Sequence, residues 1–263
     1  MKVGLSTWSL LEQDVYSAVK KIGDAGSEYV ELWGEVPHAY PELVDRRKLK
    51  DALSAYDMLV TTHAPFTDLN LASPFQPVKE AVERTLEGFV KFSEFLGAKM
   101  ATFHPGSVHS AALVPRADDS AASSLSKMVE ASGGAMSINI ENQSKSNSKY
   151  HYPVGSTLES LTRVLSAVPG SKCTVDVGHA YVSGLDPSEL LGALGDRVAE
   201  VHVSDNAGDA DDHLIPGQGT APLGRIMDEV RDRDVLVCLE LNPHRYGPDQ
   251  ILDAFRQAKS GKL

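Results

Sequence analysis

Two hydrophobic periods alternate along the chain. Short aliphatic and β-branched runs recur eight times: "KVGLSTW" (2–8), "YVELWG" (29–34), "LVTTHAP" (59–65), "KMATFHPG" (99–106), "MSINIEN" (136–142), "KCTVDVGH" (172–179), "VAEVHVSD" (198–205) and "VLVCLELN" (235–242). Runs of this length and composition predict strands. Between them the apolar spacing widens to the helical period, as in Val78, Val82, Leu86 and Phe89, or Leu158, Leu161, Leu165 and Val168. Asp186-Pro187 announces a helix over 188–194, and Pro248-Asp249 announces one over 250–258. No Ser/Gly linker or compositional break divides residues 1–263, so one domain is expected. Eight strand–helix repeats of this length predict an α/β chain folded as a (β/α)8 TIM barrel. A doubly wound open sheet is the rival, but no GxGxxG follows the first strand.

Composition narrows the picture. A hydrophobic content of 42% provides for a sizeable core, and no run of 18 apolar residues is present to span a membrane. The opening "MKVGLSTWSL" reads directly as a strand and not as a signal peptide, so a cytoplasmic protein is the expectation. Cys173 and Cys238 sit in apolar runs without any CxxC spacing, which predicts buried thiols. The net charge of −11, from 25 basic and 36 acidic residues, repels nucleic acid unless a local basic stripe exists. Lys20–Lys21 and the group Arg46, Arg47, Lys48 and Lys50 are short clusters that read as solvated helix faces.

The chemistry gathers at the C-terminal ends of the predicted strands, where a barrel of this kind carries its active site. Those ends present His63, His104, Glu141, Asp176 with His179, His202 and Glu240. The segment "HVSDNAGDADDHLIPGQG" (202–219) adds Asp211 and His213, and its glycines let the loop fold back over the site. Any one of these reads as an ordinary polar residue at a strand terminus. Together they set desolvated carboxylates side by side, an arrangement that repels itself unless cations lie between them. Imidazole and carboxylate donors without thiolate suit zinc, manganese or iron(II), and nine ligands suit two or three ions.

The segments "HAPFTDLNLASP", "FLGAKMATFHPGS", "INIEN", "TVDVGHAYVSG", "HVSDN…DDHLIPGQG" and "CLELNP" resemble the xylose-isomerase-like barrel superfamily across nearly the whole chain. That superfamily holds endonuclease IV together with many sugar isomerases and epimerases. Likeness to endonuclease IV implies His63 and His104 on one zinc ion, with Glu141 bridging to a second. The second would add Asp176, His202 and Glu240, and the third would take His179, Asp211 and His213. The expected function is then metal-dependent phosphoester hydrolysis, an abasic-site DNA endonuclease of DNA repair being the named case. Glu141 and Glu240 would be its catalytic carboxylates, Zn2+ or Mn2+ its cofactor, and Lys145, Lys149 or Arg245 its phosphate contacts. The alternative is a divalent-metal-dependent sugar or sugar-phosphate isomerase or epimerase. There a quartet of Glu141, Asp176, His202 and Glu240 holds one ion, the two glutamates move a proton on opposite faces, and His179 meets a substrate hydroxyl.

The chain also departs from endonuclease IV. "GLSTWS" offers Ser6 and Thr7 where a histidine is usual, "NQSKSNSKYHYP" replaces a Thr-Ala-Gly-rich turn, and "GEVPHAYPE" has no arginine for a duplex. Trp8, Trp33 and Phe66 fall near the predicted site mouth, where they could stack on a sugar or a base or simply pack the rim.

Overall fold

The computed structural model describes residues 1–145, 148 and 150–262. Eight parallel strands close into a barrel: β1 Lys2–Ser6, β2 Tyr29–Trp33, β3 Leu59–His63, β4 Met100–Phe103, β5 Ser137–Glu141, β6 Lys172–Asp176, β7 Val198–Val203 and β8 Leu236–Leu239. Each strand pairs with its sequence neighbours, and β1 closes the ring against β8, with Lys2 opposite Leu236 and Leu5 opposite Leu239. The TIM barrel expected from the hydrophobic pattern is therefore what forms.

Among the described residues the surrounding helices are α1 Val15–Asp24, α2 Arg46–Ser54, α3 Gln76–Leu96, α4 Val114–Ser132, α5 Leu158–Ala167, α6 Val177–Val182, α7 Pro187–Leu194, α8 Leu223–Val230 and α9 Pro248–Lys259. None of them is long and apolar enough to cross a membrane. Aspartate carboxylates at Asp14, Asp45 and Asp186 cap α1, α2 and α7 by accepting free backbone N–H groups.

The strands stop short of their predicted ends for local reasons. Pro65 and Pro105 lack the N–H that would extend β3 and β4. Residues 177–179, read as strand, are the first turn of α6, because the Asp176 carboxylate accepts from the His179 N–H at 2.6 Å and caps a helix there.

Side chains two apart on a strand face the same way, and this stacks the barrel interior in layers. Tyr29, Leu236 and Cys238 fill one end, with Leu59 and Met100 packed against them. Two residues further on stand Glu31, Thr61, Thr102 and Asn139, joined by Thr174 and Glu200, all fully buried. Hydrogen bonds knit this polar layer: Thr102 to Thr174 at 2.8 Å, Thr102 to Glu200 at 3.1 Å, and Asn139 to Thr174 at 3.2 Å. Two residues beyond again come His63, His104, Glu141, Asp176, His202 and Glu240. Cys173 and Cys238 are free and buried, as their apolar surroundings predict.

Candidate metal centre

All nine predicted ligands come together at the C-terminal mouth of the barrel. Seven of them line a cavity of about 470 Å³, and the fully buried Asp176 and His202 stand behind Glu141. Glu141 is the hub. Its Oε2 lies 3.2 Å from His63 Nε2 and 2.9 Å from His104 Nε2, while its Oε1 lies 3.3 Å from His202 Nδ1 and 3.6 Å from His179 Nδ1. Glu240 Oε2 reaches His202 Nδ1 at 3.4 Å. On the far side Asp211 Oδ2 is 3.0 Å from His179 Nε2 and 3.4 Å from His213 Nε2. Among these nine residues, three triads therefore offer donor atoms within 4.8 Å of one another: His63–His104–Glu141, Glu141–Asp176–His202 and His179–Asp211–His213.

The imidazoles are oriented for lone-pair donation. Nδ1 of His63, His179 and His213 meets the backbone carbonyl of Ala64 at 3.0 Å, Asn142 at 2.8 Å and Glu240 at 3.1 Å, respectively. A carbonyl only accepts, so each Nδ1 carries the proton and each Nε2 is presented to a carboxylate or an ion. Asn142 also pins two strand ends together, donating to the Asp176 carbonyl at 2.9 Å and accepting from the Asp176 N–H at 2.8 Å. Aromatic rings back the same histidines: Phe66 stacks on His104 at 4.1 Å, Trp8 meets His213 at 4.6 Å, and Trp33 meets His63 at 4.9 Å. Trp8, Trp33 and Phe66 thus serve the rim and the cavity wall at once.

The electrostatics fit a site made for cations. Burial lowers the basicity of His63, but the Glu141 carboxylate overrides it and lifts the ring to about 9. His213 is likewise pulled down by burial and raised to about 9 by Asp211. His179 and His202 end well above the ordinary range, since burial is outweighed by Asp176 and Asp211 for the first and by Glu240, Glu31 and Glu141 for the second. His104 is lowered, by burial first and by the neighbouring His63 and His179 charges. Among the acids, burial pushes Asp176 up to about 6. Glu240, despite burial, is held at about 2 by His202. Protonated imidazoles are the counter-charges that divalent ions supply in a loaded site. Several buried atoms nevertheless lack any hydrogen-bond partner: Glu141 Oε1, Asp176 Oδ2, His202 Nδ1, Asp211 Oδ1 and Glu240 Oε1. Orphaned donors of one chemical type converging on one cavity fit a metal centre.

Asp205 organises the loop that delivers Asp211 and His213. Its carboxylate accepts four backbone N–H bonds, from Asn206, Gly217, Gly219 and Ala221, at 2.8–3.0 Å. A Cβ at Gly219 would lie 2.4 Å from Asp205 Oδ1 and from the Asn206 carbonyl, so only glycine fits there. Asp205→Ala leaves four amides to find water, at a cost of about 1–3 kcal/mol for each that stays buried. We expect faster amide hydrogen exchange across 206–221 and weakened metal uptake at the Asp211 triad, with the barrel strands unchanged. Wild-type protection across that loop would show that Asp205 does not hold it.

Reading strand ends alone passes over Glu31 and Glu200, which lie within β2 and β7 and are fully buried beneath His202. Their signal was a carboxylate inside an apolar run, "YVELW" and "VAEVHV". Of the three expected phosphate contacts, two are placed away from the cavity. Lys145 and Arg245 are exposed and do not line the cavity, and Lys149 lies outside the described residues. Among the described residues no lysine or arginine lines it at all.

Residues 19–260 match the family model described as xylose isomerase-like TIM barrel. The chain is 24% identical to fructoselysine 3-epimerase of Escherichia coli O157:H7, over 97% of its own length and 98% of that protein's. Among solved structures it superposes on a D-tagatose 3-epimerase-like protein with a TM-score of 0.86, at 24% identity and covering 99% and 97% of the two chains. A protein of Thermus thermophilus, solved after soaking with ZnCl2, matches with a TM-score of 0.75 at 25% identity, over 100% and 99% of the chains. These findings correct the expectation of an endonuclease IV-like phosphoester hydrolase acting in DNA repair. The full-length relative is named for a sugar 3-epimerase activity and the superposed structure is that of a 3-epimerase-like protein, and among the described residues no lysine or arginine lines the cavity to pair with a phosphodiester.

Proposed function

Since the chain belongs to the xylose isomerase-like TIM barrel family, we propose that it is a divalent-metal-dependent epimerase of a ketose-type sugar. The observation that carries this reading is the placement of two carboxylates, Glu141 at the end of β5 and Glu240 just after β8, against one shared imidazole. Glu141 Oε1 and Glu240 Oε2 lie 3.3 and 3.4 Å from the same His202 nitrogen, having reached it from strands separated by β6 and β7. Two acid–base groups converging from different sides are what inversion of a carbon centre needs.

Glu141, Asp176, His202 and Glu240 would hold the ion, and their oxygen and nitrogen donors suit Zn2+ or Mn2+. The triads His63–His104–Glu141 and His179–Asp211–His213 would hold one further ion each. When bound, a divalent ion supplies Lewis-acid polarisation of the sugar's carbonyl and adjacent hydroxyl oxygens. One glutamate then takes the proton from the carbon beside the carbonyl, and the other returns a proton to the opposite face. The wall of Trp8, Trp33 and Phe66 receives the apolar face of the sugar and excludes water from the exchanging proton. The full-length likeness to a protein named fructoselysine 3-epimerase supports the choice of reaction.

The test is solvent exchange. The protein, loaded with Mn2+ or Zn2+, is incubated with fructose, tagatose or fructoselysine in deuterated water and followed by NMR. Deuterium at C3 together with the C3 epimer is the expected result. Exchange at C1 or C2 with formation of an aldose would indicate an isomerase, and no exchange with any of the three sugars would count against the reading.

A further inference from the structure

His202 is held differently from the other ligand histidines. Nδ1 of His63, His179 and His213 is anchored on a backbone carbonyl. His202 instead turns Nδ1 toward Glu141 and Glu240, and its Nε2 points inward to Glu31 Oε2 at 3.1 Å, with Glu200 Oε2 at 3.7 Å. All three residues are fully buried in the barrel. Neither Glu31 Oε2 nor His202 Nε2 is satisfied by a hydrogen bond from any other group, and the 3.1 Å contact between them is the shorter of the two carboxylate contacts that Nε2 makes. Glu200 is already engaged, since its two oxygens accept from the Thr61 and Thr102 hydroxyls at 3.4 and 3.1 Å.

We propose that Glu31 is the positioning residue for His202. Its carboxylate accepts the Nε2–H, which fixes the tautomer and leaves the Nδ1 lone pair for the divalent ion. A negative partner on the far nitrogen also makes the imidazole a stronger donor. Glu31, Glu200 and His202 approach one another closely enough to suggest a metal site of their own. Chemistry argues against that: ions on both ring nitrogens would require an imidazolate, and here Nε2 needs its proton to satisfy Glu31. The proposal rests on His202 being a metal ligand, as in the function proposed above.

The experiment is cobalt(II) titration of wild type, Glu31→Ala and Glu31→Gln, read by visible d–d absorption and by ions bound per chain at saturation. Glu31→Ala should bind cobalt about 10–100-fold more weakly, as loss of such a partner typically does, with a shifted band and unchanged ion count. Glu31→Gln keeps an acceptor oxygen and the side-chain volume, so a smaller but measurable weakening is expected. It also serves if the alanine variant does not fold. Wild-type affinity and spectrum in both variants, even with a lowered unfolding midpoint, would reduce Glu31 to a structural role and overturn the proposal. Loss of one ion at saturation would make Glu31 a ligand and overturn it as well. Failure of the wild type to bind cobalt would instead sink the metal-dependent reading itself.

Discussion

Glu141→Gln and Glu240→Gln should each lower epimerisation by about a thousandfold or more. Removal of a general acid or base alone costs about 10²–10⁴-fold, and here the same carboxylates are proposed to hold the ion. The two variants should differ in what remains. If each glutamate serves one face of the sugar, a variant lacking one base still draws a proton from the epimer that presents its hydrogen to the other. Residual solvent exchange should therefore be confined to one epimer, and to the opposite epimer in the second variant. Glutamine preserves volume, so far-UV circular dichroism should be unchanged. The measurement is deuterium wash-in from each purified epimer, and near-normal turnover in either variant would break the two-carboxylate mechanism.

The clustering of the candidate ligands was legible in the sequence because strand geometry is so regular. Once eight strands are recognised, a side chain at a strand end two residues beyond an inward-facing one must also face the barrel. Thr61 and His63, Asn139 and Glu141, or Thr174 and Asp176 follow this rule. Asp211 and His213 were read from the Asp/His/Gly-rich segment 202–219 and not from strand periodicity, which does not give the course of a loop. Their position depends on a loop folded around Asp205, and His213 has a positive φ of 48° that no hydrophobic pattern encodes.

The reaction was not legible for a different reason. Imidazole and carboxylate donors point to a candidate cation site, and they are silent on which substrate bond such cations would serve. The discriminating feature is what surrounds the donor cluster. Tyr152 and Pro153 pair with Ser107 and Val108 in a short antiparallel ribbon between the β4 and β5 loops, and His151, Gln143 and Ser144 join the cavity wall. Gln143, Ser144, His151, Tyr152 and Pro153 come from the segment that departs from endonuclease IV. Aromatic rings and uncharged side chains such as Asn70, Ser107, Gln143 and Ser144 around the carboxylate–imidazole cluster suit a sugar better than a phosphodiester.

Stripping the metal with a chelator should abolish exchange and lower the unfolding midpoint by on the order of 10 °C for each tightly held ion. An ion present at a thousand times its dissociation constant stabilises the folded state by about 4 kcal/mol. In a domain of this size each kcal/mol moves the midpoint by about 2–4 °C. The loss should also grow with pH. In the metal-free protein His63 and His213 are raised to about 9, from an ordinary value of 6.5. The stabilisation they contribute as imidazolium partners of Glu141 and Asp211 is complete below pH 6.5, and it drains away as the pH rises through about 9. Metal binding runs the other way, because those same nitrogens must shed their protons to coordinate, so affinity rises across the same window. The gap between loaded and stripped protein should therefore be narrow at pH 6 and wide at pH 8.5, as read by differential scanning calorimetry. A midpoint unmoved by chelation at pH 8.5, with sugar exchange intact, would mean that the clustered carboxylates and imidazoles neutralise one another without any ion.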